Sequence, residues 1–269
     1  MSDSLPHAPA LAEVLDVIDA LIGPNGCPWD KKQTPETLCD YLAEETFELI
    51  EGIRAGNASD AREELGDVLF ILLFLSVLYQ KDGSFTLSDA LRHNAAKMIR
   101  RHPHVFGDRH FDNLDQLWDN WEKTKREENR GTDRKRVFDS LPKGLPPLLK
   151  AYRINAKAAR NHFTWESDRD VEAQFADEWR EWQEALESGD EQASEREFGD
   201  CLFTLVELGR RKGIKANAAL DFANQKFLNR FNAMEELAQQ RGQSVADMDL
   251  EAMNALWDEV KASQQDESA

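Results

Sequence analysis

Three cysteines in 269 residues, Cys27, Cys39 and Cys201, are too few and too scattered for a disulfide scaffold. They are odd in number and form no CxxC pair, so zinc-binding spacing is absent, and they are expected to be buried small hydrophobes in a reducing compartment. Glycine (14) and proline (9) are sparse, which rules out collagen-like and low-complexity chains. Basic residues are in deficit: 33 Lys+Arg stand against 51 Asp+Glu, a net charge of −18. Nucleic-acid binding depends on phosphate neutralisation by Lys and Arg, so a nucleic-acid partner is not expected. The longest apolar run, Val68 to Tyr79, falls well short of the ~20 residues of a membrane span. The first residues, Met-Ser-Asp-Ser-Leu-Pro-His, lack the basic and apolar regions of an export signal, and a cytoplasmic protein is expected.

Strand-like alternation is also missing, and what is present is helical periodicity throughout, predicting an all-α fold. Helices are predicted over Leu11–Ile22, from Thr34 to about Arg54, from about Asp60 to Tyr79, over Leu87–Arg101 and over Leu114–Glu128. Thr34 is the expected N-cap of the second, with Pro35 at the first helical position and Thr37 where a capping-box Glu would stand. Between 129 and 150 the periodicity breaks at Gly131, Pro142, Gly144, Pro146 and Pro147, while Arg130, Arg134, Lys135 and Arg136 cluster. A linker is predicted there, between domains at 1–128 and 151–269.

The second half repeats the first. Glu45, Glu48, Glu64, Asp67 and Phe70 recur as Glu178, Glu181, Glu197, Asp200 and Phe203, each 133 residues later. Further on the offset becomes 129, taking Lys97 to Lys226 and Arg101 to Arg230. Residues three apart share a helix face, so Glu45 with Glu48, and Glu64 with Asp67, project together, and a short turn between their helices lets both pairs converge. Apolar neighbours such as Leu42, Leu49 and Val68 aim that point inward, where four carboxylates repel unless cations compensate them. An all-oxygen cluster suits Mg²⁺ first and Mn²⁺ second. Di-iron bundles need Glu-x-x-His, and none of the six histidines stands three residues after a Glu on these helices.

Glu44-Glu45-x-x-Glu48 followed by Glu64-x-x-Asp67 resembles the EExxE…ExxD pattern of the MazG-type nucleoside triphosphate pyrophosphohydrolases. Gly26-Cys27-Pro28-Trp29-Asp30 and Arg100-Arg101-His102-Pro103-His104 resemble segments of the same family. The resemblance spans about Leu11 to Lys261, as two homologous helical domains. It implies hydrolysis of nucleoside triphosphates to monophosphate and pyrophosphate with Mg²⁺ held by Glu45, Glu48, Glu64 and Asp67, and by Glu178, Glu181, Glu197 and Asp200. Lys97, Arg101, Lys226 and Arg230 map to the family's phosphate-contacting residues, and Trp257 to a nucleotide-contacting position. Glu48 or Glu181 is a candidate general base. The second domain departs from the first at Asp177, in place of Glu44, and at Arg196, in place of Glu63, both candidates for substrate contact. Specialised pyrophosphohydrolases acting on dUTP or phosphoribosyl-ATP, and a non-catalytic nucleotide- or metal-binding module, are the alternatives. Because Val68–Leu78 is apolar on every side and each domain has few helices, a homodimer completing a four-helix arrangement is predicted.

Overall fold

A computed structural model describes residues 7–128 and 136–266; Arg130, Arg134, Lys135 and the first part of the expected linker lie outside the described residues. All described regular structure is helical, and no strand occurs among the described residues. The fold is all-α. The chain divides into two compact units, Met1–Gly131 and Thr132–Ala269, which are taken in turn.

The first unit contains α1 (Ala8–Leu21), α2 (Leu38–Arg54), α3 (Ala58–Lys81), α4 (Leu87–Arg101), the single turn α5 (Pro103–Phe106) and α6 (Leu114–Glu128). Regular helix α2 starts at Leu38, later than expected. Thr34 and Thr37 exchange hydrogen bonds, Thr34 N to Thr37 Oγ1 at 2.9 Å and Thr37 N to Thr34 Oγ1 at 3.3 Å, forming a turn that feeds the helix. The helix α3 is capped by Asn57, whose Oδ1 accepts from the Ser59 and Asp60 amides at 3.1 and 3.4 Å. Gly56, at φ 68°, reverses the chain between α2 and α3. A Cβ on Gly52 would lie 2.9 Å from the Ala61 amide nitrogen, so only glycine lets the two backbones come this close. In α4, Thr86 and Asp89 form a full capping box.

Ile18, Leu38, Ile71, Leu73 and Phe74 make the core of this unit, with Leu42, Phe70 and Ile22 packed against it. Each buried side chain of this size contributes about 1.5–3 kcal/mol. The apolar segment of α3 is not buried on all sides: Leu65, Leu69 and Leu72, one face at i, i+4, i+7, stay roughly half exposed. Cys39 is exposed and Cys27 partly so, leaving only Cys201 buried as expected. Cys39 lies in the first turn of α2 on its outer face, with Sγ directed at the Pro35 carbonyl.

The second unit contains α7 (Pro147–Ala159), α8 (Asp168–Ser188), α9 (Glu191–Arg211), α10 (Ala216–Gln240) and α11 (Leu250–Asp266). Ser167 and Asp170 cap α8 reciprocally, Asp190 caps α9 through the Ala193 amide, and Gly189 at φ 72° turns the chain between them. Asp168 ties the start of α8 to the end of α9 through Lys212 at 2.5 Å and Arg211 at 2.6 Å, and these cations hold its carboxyl below the usual carboxylate range. Met234, Ala238, Leu256 and Val260 form a core between α10 and α11. None of the described helices is long and apolar enough to cross a membrane.

Candidate active site

The tight turn between α2 and α3 lays the two helices side by side, and Glu45 and Glu48 of α2 meet Glu64 of α3: one carboxylate oxygen from each lies within 4.8 Å of the others. In the second unit Glu178 of α8 meets Glu197 and Asp200 of α9 at the same closeness. The trios are not identical. The positions of Glu45/Glu178 and Glu64/Glu197 serve in both, whereas Glu48 completes the first and Asp200 the second. Asp67 is exposed and outside the first trio, but its charge acts on Glu64. Glu181 is exposed and outside the second.

Desolvation pushes the Glu64 carboxyl above its ordinary range, followed by its hydrogen bond with Glu45 and repulsion from Glu48, Glu45 and Asp67. Carboxylates crowded in this way repel one another unless a cation joins them, and three hard oxygen donors around one point fit Mg²⁺ or Mn²⁺. Gln174, one turn before Glu178, donates its Nε2 to Glu178 Oε1 at 2.7 Å and so fixes that carboxylate's orientation. One consequence concerns pH. A raised Glu64 keeps its proton to higher pH than an ordinary glutamate, so protons compete with the metal there. Calorimetric Mn²⁺ titration is expected to show affinity falling as pH drops through that raised range, with a shallower dependence in Glu64→Gln.

A profile of the MazG nucleotide pyrophosphohydrolase domain matches residues 33–106, the span that carries the first trio. Over 256 residues the chain is 37% identical to the nucleoside triphosphate pyrophosphohydrolase of Escherichia coli K12, covering 94% of this chain and 97% of that one. The chain belongs to the MazG family. It is 36% identical to the nucleoside triphosphate pyrophosphohydrolase/pyrophosphatase MazG of Thermotoga maritima, over 93% of this chain and 94% of the other. It is 41% identical to the uncharacterized protein YabN of Bacillus subtilis, over 92% of this chain and 51% of that longer protein. As a MazG protein the chain is an enzyme, a hydrolase.

The basic residues expected at the MazG phosphate site are placed differently in the two units. In the first, Lys97 is half-buried on α4, and Arg101 donates from Nε and Nη2 to Glu128 Oε2 at 3.0 and 2.6 Å. Arg100 grips the other oxygen of Glu128 at 3.1 Å, and these guanidinium groups hold the Glu128 carboxyl below its usual range. In the second unit Lys226 is exposed and Arg230 half-buried on α10. Lys97, Lys226 and the exposed Arg196 form no ion pair with the trios among the described residues, and Asp177 pairs with Arg180 at 3.0 Å. Trp257 is partly buried, its ring centroid 5.2 Å from that of Phe227.

One aromatic reads in the sequence only as part of a helix face, three residues from Trp118, and not as a site residue. Trp121 of α6 occupies the place of Trp257 on α11: Leu114, Trp121 and Lys125 recur as Leu250, Trp257 and Lys261 at an offset of 136. The Arg101 guanidinium carbon sits 5.3 Å from the Trp121 ring centroid, and His102 meets the ring edge-on. The third offset hid this match, because the two earlier ones place nothing aromatic opposite Trp121. Gln174 was missed too; its signal is its position four residues before Glu178 on one helix face.

Proposed function

We propose that this MazG enzyme hydrolyses nucleoside triphosphates to nucleoside monophosphate and pyrophosphate, water and substrate together balancing the two products, with Mg²⁺ as the metal and Mn²⁺ as a substitute. The observation that carries the reading is the carboxylate trio, built once on α2 and α3 and again on α8 and α9. Glu45, Glu48 and Glu64, with Asp67 beside them, would hold the ion in the first unit; Glu178, Glu197 and Asp200 would hold it in the second. When bound, Mg²⁺ supplies neutralisation of phosphate charge and acidification of water. The chain's own part is positioning and charge, which is what phosphoryl transfer asks of a protein. Lys97 and Lys226 lie on the helices that follow the trios and are the cations offered to the phosphates, with Arg101 and Arg230 one turn on. Glu181, exposed and outside the second trio, is the residue proposed to accept the proton of attacking water there; its counterpart Glu48 lies inside the first trio, where it is a proposed metal ligand as well as the candidate base.

Release of pyrophosphate and monophosphate from a panel of ribo- and deoxyribonucleotides with Mg²⁺ tests the activity; turnover of none would reject it. Glu48→Gln and Glu181→Gln, made singly, are expected to lower the rate of whichever unit works.

The proposal extends to a homodimer. Ile53, Leu65, Leu69 and Leu72 of the first unit are between 45% and 62% exposed, and their counterparts 133 residues on, Leu186, Phe198, Leu202 and Leu205, between 39% and 53%. An apolar stripe that recurs position for position in both units is a surface expecting a cover, and a second copy of the chain supplies one. Leu69→Glu and Leu202→Glu together should shift sedimentation from dimer to monomer without loss of helix by circular dichroism. A wild-type protein that sediments as a folded monomer at micromolar concentration would refute the dimer.

A further inference from the structure

Val171, Gln174, Glu178 and Ala185 fall at i, i+3, i+7 and i+14 on α8, one stripe along the helix. Val171 and Ala185, at 0% and 8% exposure, bury the two ends of the stripe, and Gln174 and Glu178 lie partly buried between them. From this stripe Glu178 meets Glu197 and Asp200 of α9. The start of the helix is pinned just before Val171, by the Ser167–Asp170 capping box and by the ion pairs of Asp168 with Arg211 and Lys212. Gln174 therefore has a set place one turn ahead of Glu178 and lacks the freedom of a solvated side chain.

The Gln174 amide donates from Nε2 to Glu178 Oε1 at 2.7 Å, the short end of N–H···O distances. Hydrogen bonds of this kind are common on helix surfaces, where water competes with them. Here donor and acceptor are both partly buried, and the acceptor is one of three carboxylates whose oxygens lie within 4.8 Å of one another. An oxygen that already accepts a proton donor is the poorer metal ligand. Glu178 is thus left with Oε2 as its better donor, and a grip with both oxygens at once is opposed.

The first unit carries no amide at this position. The residue 133 before Gln174 is Tyr41, one turn ahead of Glu45, and its ring stands edge-on to Trp29 with centroids 5.6 Å apart. Glu45 hydrogen-bonds with Glu64, carboxyl to carboxyl. The two trios share their first position, Glu45 and Glu178, but not what orients it.

The number of oxygens that each carboxylate gives separates one hard cation from another. Mg²⁺ demands a compact octahedral shell, whereas the larger Ca²⁺ takes about 6–8 oxygens and accepts carboxylates that bind through both. We propose that Gln174 is a positioning residue that sets the metal preference of the second trio: it keeps Glu178 to one oxygen, which favours Mg²⁺ and Mn²⁺ over Ca²⁺. The inference rests on the proposed reading of the trios as metal sites.

The test uses the full chain carrying Glu45→Gln and Glu64→Gln, which leave the second trio as the intact one, and adds Gln174→Leu, which keeps bulk and helix propensity but has no donor. Mn²⁺ binding is measured by electron paramagnetic resonance and calorimetry, and Mg²⁺ and Ca²⁺ binding by displacement of Mn²⁺. Circular dichroism checks that helix content is kept. Gln174→Leu is expected to weaken Mn²⁺ and Mg²⁺ about 10- to 100-fold, the usual cost of losing the partner that orients a ligand. Ca²⁺ affinity is expected to hold within about threefold, because a released Glu178 can chelate it through both oxygens. A hydrogen bond that served only the helix would weaken all three ions alike and leave the ratio of Mn²⁺ to Ca²⁺ affinity where it was. Gln174→Lys restores a donor and adds a positive charge, so it should weaken every ion yet keep the parent ratio. An unmoved ratio in Gln174→Leu, or the same altered ratio in Gln174→Lys, overturns the proposal and leaves the metal site standing. If the parent chain with Gln174 intact binds no Mn²⁺, the metal reading of the second trio falls and the proposal falls with it.

Discussion

Glu197→Gln is expected to lower nucleotide hydrolysis by the second unit about 100-fold or more. Replacing a group that merely orients a metal ligand typically costs about 10–100-fold in affinity or activity, and a proposed direct ligand sets at least the upper end. Gln keeps the shape of Glu197 but removes one of three negative charges lying within 4.8 Å of one another. The loss should appear as weaker Mg²⁺ dependence, with saturation at higher metal concentration, and not as unfolding. Glu64→Gln makes the same change in the first unit. Measured side by side in steady-state pyrophosphate release, the two variants report how the activity divides between the units. If both retain wild-type rates and wild-type Mg²⁺ dependence, the carboxylate trios are not the metal sites.

The second large effect is on stability. Phe74→Ala should destabilise the first unit by about 3–5 kcal/mol, the usual cost of emptying a fully buried aromatic site. Phe74 is 1% exposed and sits in the cluster of Ile18, Leu38, Ile71 and Leu73, with its ring centroid 6.1 Å from that of Phe70. Chemical denaturation followed by circular dichroism is expected to show an early transition for part of the chain. A single transition at the wild-type midpoint would mean that the cavity collapses at little cost. The Glu that takes this position in the second unit, Glu207, implies a different vulnerability: removing it strands Arg210 in a partly buried site.

The helices of the first unit were legible because their punctuation is local. Thr86 with Asp89 and Arg101 before His102-Pro103 fixed α4 at Leu87–Arg101, as expected from the sequence. Where the punctuation was ambiguous, boundaries moved: Thr34 and Thr37 share hydrogen bonds that lie before the regular helix, so α2 starts at Leu38. Cys39 was misjudged because composition says what a cysteine prefers, whereas its exposure depends on which face of α2 the neighbouring helices cover.

The site divides along the same line. The sequence alone determined the all-α fold, membership of the family and the recurrence of the acidic positions, because helical periodicity and a constant offset of 133 are properties of residue order. It could not determine which three carboxylates approach within 4.8 Å, since side-chain torsions and helix packing choose Glu48 in one unit and Asp200 in the other. Nor could it show that Arg101 is held by Glu128, 27 residues away, or that the space filled by Phe74 in one unit is open beside Glu207 in the other. Those outcomes depend on distances between segments remote in the chain, and only tertiary packing sets them.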